Sequence, residues 1–144
     1  MSIPGRVSVV TLGVYDVPAL RAFYESLGWQ SASPGGDEFA AFPLGGAVLG
    51  LYRMDLLAKD SHSPMPAKGA WNGVTPAINV EREEMVAAAI ETARAAGAEI
   101  RAEPVKLDWG GVAAYFADPE GNVWEVAWLP DGKFDERGAL IWPY

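Results

Sequence analysis

Asp118-Pro119-Glu120-Gly121-Asn122-Val123-Trp124-Glu125-Val126 is the stretch that decides how this chain folds. Asp-Pro followed closely by Gly makes a tight turn, and the residues after it launch a strand. Side chains alternate along a strand, so Glu125 leaves one face while Trp124, Val126 and Trp128 leave the other. The spacing predicts this strand over Val123 to Trp128. Before the turn, Val112 to Ala117 reads as its partner, and Glu99 to Ala102 as a further strand. Earlier still, Val86, Ala89, Ile90 and Ala93 form the apolar face of a helix that Gly97 ends. Glu81, Glu83 and Glu84 place negative charge at its N-terminus, where the helix dipole favours it. Thr75 to Val80 supplies a strand ahead of that helix.

The same order occurs once before. Val7 to Val14 is a β-branched, apolar run that reads as a strand. Asp16 and Pro18 signal a helix start. Leu20, Phe23, Tyr24 and Leu27 then make one helical stripe, and Gly28 stops it. Strands follow around Glu38 to Phe42 and Val48 to Arg53, with Gly45-Gly46 between them. The expected organisation is a single domain of two repeated modules, residues 7–53 and 74–129, with a connection over 54–73 and a tail over 130–144. The connection holds Pro64, Pro66 and Gly69, and loops of that length are usually functional or mobile. The tail carries Leu140, Ile141, Trp142 and Tyr144, apolar enough to fold back onto the body or onto a second subunit.

Composition removes much conventional chemistry. A chain of 144 residues, half of them hydrophobic, can bury ~70% of its unfolded surface and needs no covalent or metal staple. There is no cysteine, which excludes a disulfide framework, a thiolate nucleophile and Cys-ligated zinc or iron–sulfur sites. A single histidine rules out multi-histidine metal sites within one chain. The net charge of -8 argues against nucleic acid, which is bound through Lys and Arg. No apolar run approaches the ~20 residues of a membrane span, and Met1 to Val10 lacks the regions of a secretory signal. The expectation is a cytoplasmic protein with neither membrane nor nucleic-acid partners.

The turn and strand from Asp118 to Val126 also resemble the closing hairpin of the vicinal oxygen chelate superfamily, which includes glyoxalase I, extradiol dioxygenases and bleomycin-resistance proteins. Val9-Val10-Thr11-Leu12-Gly13-Val14, Asp16, Phe23-Tyr24 and Leu27-Gly28 look like that family's first strand and helix. The resemblance spans roughly Val7 to Leu129. It implies an α+β fold in which two βαβββ modules form a curled eight-stranded mixed sheet around a cleft, and it implies a homodimer.

In the family's metalloenzyme members, ligands come from the first and fourth strands of each module. Matching the repeat, with Val14 against Val80 and Gly46 against Gly121, puts Val9, Gly50, Thr75 and Glu125 at those four positions. Zinc and non-haem iron need several N, S or O donors. Valine and glycine offer none and threonine is a poor ligand, so no metal and no other cofactor is expected.

Glu125 has two readings: a base or hydrogen-bond acceptor at the cleft floor, its pKa raised by desolvation, or a structural carboxylate bonded to a nearby Trp or Tyr. Trp109-Gly110-Gly111 offers a flat indole beside a permissive backbone, either a stacking wall for a planar ligand or a loop tryptophan packed against the opposite module. Gly50 leaves space that a ligand, Trp109 or Tyr115 would fill. Trp29, Trp124 and Trp128 read as core, while Trp71 borders the connection and suits a cleft rim. His62 lies in a polar, proline-broken loop and reads as solvated, or as part of a lid. Arg53, Arg101 and Lys106 are weaker candidates for holding an anionic group.

The expected function is binding of a small planar or amphipathic molecule in a metal-free cleft, through Val9, Gly50, Thr75, Trp109, Tyr115 and Glu125. One alternative is a lyase or isomerase with Glu125 as catalytic general base, although no cationic partner for a developing oxyanion is evident. A metal-dependent glyoxalase or dioxygenase lacks its ligands. A third alternative is an interaction module whose aromatics fill the cleft.

Overall fold

A computed structural model describes residues 2–32 and 36–143, and the chain divides into two compact units, Met1–Met65 and Pro66–Tyr144. Among the described residues no helix is long and apolar enough to cross a membrane. The fold is α+β.

The first unit opens with β1 (Val9–Val14) and α1 (Val17–Ser26). Asp16 caps this helix by accepting the Ala19 N–H at 3.0 Å, and proline occupies the first turn, as the sequence suggests. β2 (Phe39–Pro43) and β3 (Val48–Arg53) follow, giving a sheet of order β1-β3-β2 with β1 parallel to β3. Leu12, Val14, Ala40, Phe42, Leu49 and Leu51 are buried together with Leu20, Phe23 and Tyr24 of α1, so alternation sends one sheet face to the helix. Trp29 stacks on Tyr24 with centroids 5.4 Å apart but is only half-buried, at the edge of the core expected to hold it. Among the described residues this sheet has three strands, and Ala32 N–H bonds Ala41 O of β2 at 2.8 Å. Residues 33–35 lie outside the described residues.

The connection is not all loop. Met54–Asp60 forms a helix, α2. It sits close over β1 at Gly13, where a Cβ would lie 2.6 Å from Met54 Sδ and 3.1 Å from Leu57 Cδ2. Tyr52 donates its hydroxyl hydrogen to Asp60 at 2.8 Å. His62 takes φ +54° immediately after this helix, with His62 N–H bonded to Lys59 O and Ser63 N–H to Ala58 O. That pair of bonds is a Schellman motif, so His62 closes a helix in the position usually given to glycine.

The second unit repeats the order with β4 (Ala77–Val80), α3 (Glu84–Ala95), β5 (Glu99–Lys106), β6 (Val112–Ala117) and β7 (Val123–Trp128). Its sheet runs β4-β7-β6-β5, with β4 parallel to β7. Val86, Ile90 and Ala93 of α3 are buried with Ala114, Phe116, Trp124 and Val126 on the helix-backed face, and Trp124 stacks on Phe116. The tail makes its own hairpin, β8 (Lys133–Phe134) with β9 (Leu140–Ile141), leaving Ile141 and Trp142 exposed. Tyr144 lies outside the described residues.

Register supports the repeat independently of sequence. Thr11 pairs with Gly50 and Val14 with Arg53 in the first unit; Ala77 pairs with Glu125 and Val80 with Trp128 in the second. Gly50 and Glu125 therefore occupy the same address in their respective sheets.

Candidate functional site

The β6–β7 hairpin builds the floor of the site. Asp118, only 3% exposed, organises its turn: Oδ1 accepts the N–H groups of Glu120 and Asn122 at 2.9 Å, and Oδ2 accepts from the Asn122 amide at 2.8 Å. Gly121 takes φ +86° there, a conformation that favours glycine. This turn fixes a register in which Tyr115 stands directly opposite Glu125. Facing residues leave the same side of the sheet, and the Tyr115 hydroxyl donates to Oε2 of Glu125.

That carboxylate pushes the Tyr115 phenol above its ordinary pKa, chiefly through the hydrogen bond, with burial and charge adding to it. The phenol is consequently a neutral donor at neutral pH. Oε1 of Glu125 has no protein donor among the described residues. The structural reading of this carboxylate, a bond to a nearby tyrosine, is thus realised while one oxygen stays available.

Around this pair lies an open cavity of about 490 Å³, lined by Trp71, Thr75, Arg101, Ala102, Tyr115, Val123 and Glu125. Trp71 is 57% exposed and is held by its own turn: its indole N–H bonds Val74 O at 3.2 Å, and Asn72 Oδ1 accepts Val74 N–H at 3.0 Å. Thr75 follows that turn just before β4 and contributes a hydroxyl.

Arg101 and Ala102 both reach the cavity because β5 is irregular. Ile100 pairs with Phe116 and Ala102 with Tyr115, so Arg101 is an extra residue against β6. A bulge of this kind interrupts alternation and leaves two successive side chains on one face. Pro104 lies in a second irregularity, between Ala102 and Val105, on the edge strand where a proline is tolerated. The Arg101 Nε contacts Glu99 Oε1 at 2.7 Å.

Of the six residues expected at the site, Thr75, Tyr115 and Glu125 come together. Trp109 does not join this lining. Its ring folds over Gly111, where a Cβ would sit 2.0 Å from Trp109 Cη2, and the indole remains half-exposed. Its contact is with Gly111 of its own loop, and Trp71 is the tryptophan that lines the cavity. Val9 and Gly50 belong to the first unit. The space expected at Gly50 is closed by its neighbours: a Cβ there meets Thr11 Oγ1 at 3.1 Å, Phe39 Cε2 at 3.5 Å and Val9 Cγ1 at 3.6 Å. Arg53 is engaged by Asp55 and Glu38. Arg101, weakly favoured from sequence, is the cation that lines the cavity; the bulge that places it there exists only in the pairing of β5 with β6.

The donor set does not fit a resident metal. Among the described residues no three His, Cys, Asp or Glu side chains converge. Glu125 is the only carboxylate in the cavity lining, and a guanidinium shares that lining. Tetrahedral zinc and the iron triad need more donors than this.

No curated protein matches the chain. Solved structures do. A glyoxalase-related enzyme from Fulvimarina pelagi is 28% identical, with a TM-score of 0.88 over 98% of this chain and 100% of that one. A glyoxalase/bleomycin resistance protein/dioxygenase from Nocardioides is 27% identical, with a TM-score of 0.75 over 94% and 91%. A lactoylglutathione lyase from Agrobacterium tumefaciens, 21% identical with a TM-score of 0.68 over 88% and 96%, shares the fold. The sequence profile of one family matches residues 6–126, most of the chain and both repeated modules. By its sequence and its fold, the chain belongs to the Glyoxalase/Bleomycin resistance protein/Dioxygenase superfamily.

Proposed function

We propose that this protein binds a small planar or amphipathic molecule, without a metal, in the cavity of its second unit. The observation that carries this reading is the pairing of one aromatic wall, Trp71, with one anchored carboxylate, Glu125 held by Tyr115. Ligand cavities are mostly apolar with a few placed polar groups, and a volume of about 490 Å³ falls within their usual range. Trp71 and Val123 supply contact area, while Oε1 of Glu125 and the Thr75 hydroxyl orient the ligand. Membership in a superfamily that includes bleomycin-resistance proteins supports the class of function without selecting the ligand.

The test is a fluorescence titration and thermal-shift assay with phenylnaphthylamine, a neutral planar probe. Saturable quenching that disappears in Trp71→Phe and survives in Trp109→Phe is the expected result. No shift in either signal, or quenching that follows Trp109, overturns the reading.

A second reading, a metal-independent lyase or isomerase, gains from Arg101. A cation now stands in the lining that also holds Glu125, the candidate general base. Turnover of a carbon acid that vanishes in Glu125→Gln with binding retained distinguishes this reading from binding alone. A metal-dependent glyoxalase or dioxygenase activity is disfavoured by the donor set.

A further inference from the structure

We infer that the ligand of this cavity carries an anionic group, a carboxylate, sulfonate or phosphate on a planar body, and that Arg101 is the residue that selects it. This rests on the reading of the cavity as a ligand site. Three features of the chain support the inference.

First, Arg101 takes the cavity face of β5 because Ile100, its neighbour, pairs with Phe116 on the other face. The bulge then keeps Ala102 on the same side as Arg101, opposite Tyr115. The residue beside the guanidinium is consequently a methyl group, which leaves room for a ligand atom.

Second, the guanidinium is only partly used. Glu99 engages Nε, and no protein acceptor meets either terminal nitrogen among the described residues. A planar fork with two unused terminal amines suits the paired oxygens of a carboxylate or sulfonate. Arg82 makes a similar Nε pair with Glu84, and Arg53 and Arg94 are also engaged with carboxylates, but of these arginines only Arg101 lines this cavity.

Third, no other polar group of the lining pairs with the arginine. Glu125 is already bonded to Tyr115 and does not pair with Arg101. A ligand with a donor at one end and an anion at the other would satisfy both. The chain as a whole carries a net charge of -8, so general attraction does not draw anions to it. Any preference for an anionic ligand must therefore be local.

A matched pair of probes isolates the effect. Anilinonaphthalene sulfonate and phenylnaphthylamine share an aromatic skeleton and differ by the sulfonate. The native protein is expected to bind the sulfonate more tightly by roughly tenfold, the scale of one charge-assisted contact. Arg101→Gln is expected to remove that preference, weakening the sulfonate about tenfold more than phenylnaphthylamine, and Arg101→Lys to restore part of it. The preference is also expected to fall as salt is raised, as an exposed ion pair does. Equal binding of the two probes by the native protein, or an equal loss of both in Arg101→Gln, overturns the anion inference and leaves the cavity reading standing. Binding of neither probe removes both.

Discussion

Replacing Asp118 with alanine tests whether the turn sets the site. Its carboxylate holds two backbone N–H groups and one side-chain amide at 2.8 to 2.9 Å, and it is almost fully buried. At about 1 kcal/mol net for each bond, Asp118→Ala should cost roughly 3 kcal/mol of stability. The cost is not larger because Glu120 and Asn122 are half-buried, so water can reach their freed amides. Asp118→Asn keeps Oδ1 as an acceptor for both backbone groups and should cost only about 1 kcal/mol.

The functional consequence follows from register. A slip of one residue in the β6–β7 hairpin would carry Glu125 to the helix-backed face and separate it from Tyr115. Denaturant unfolding followed by circular dichroism and tryptophan fluorescence measures the stability change, and coincident curves validate a two-state treatment. Probe titration on the same variants reads the site. A loss in Asp118→Ala below about 0.5 kcal/mol, the range of ordinary surface substitutions, would refute the reasoning. So would an Asp118→Asn variant as damaged as Asp118→Ala.

Two other outcomes are expected. Tyr115 should ionise above the ordinary tyrosine value of about 10, and Glu125→Gln should bring it back down, as read by ultraviolet difference titration of the phenolate. Because the folded-state value is the raised one, the stability it confers is complete below the unfolded value and is lost as pH rises through the folded one; Glu125→Gln should flatten that alkaline decline. His62→Gly should stabilise the protein by about 0.5 to 1 kcal/mol, since glycine avoids the left-handed penalty but loses more entropy on folding; a thermal midpoint at or below that of the parent would count against the Schellman assignment.

Alternation and turn chemistry made much of this legible in advance. The strands Val48–Arg53, Val112–Ala117 and Val123–Trp128 have the bounds that their apolar runs suggest. The face of Glu125 and the burial of Trp124 and Val126 followed from period two alone. What escaped depends on contacts distant in sequence. The helix over Met54–Asp60 is one short segment whose close seat on Gly13 cannot be seen from its own residues. The bulge at Arg101 exists only relative to β6, so no property of β5 by itself places two neighbours on one face. Trp109 leaves the expected site for a similar reason, while Trp71 borders the cavity as its place beside the connection suggests. Trp109 lies over Gly111, whereas Trp71 is fixed by a turn at Asn72 and Gly73, and ring direction at a turn is set by such local bonds rather than by residue type.

The shared address of Gly50 and Glu125 has a consequence for how such proteins change over time. One address accepts a bare backbone in one unit and an acid in the other, while the residues that drive folding, Leu49 and Leu51 in one case and Trp124 and Val126 in the other, flank it in sequence and point away. At Glu125 chemical identity is largely insulated from the hydrophobic core, so mutation can explore new specificities there without first threatening the scaffold, whereas at Gly50 a side chain would first have to displace Thr11.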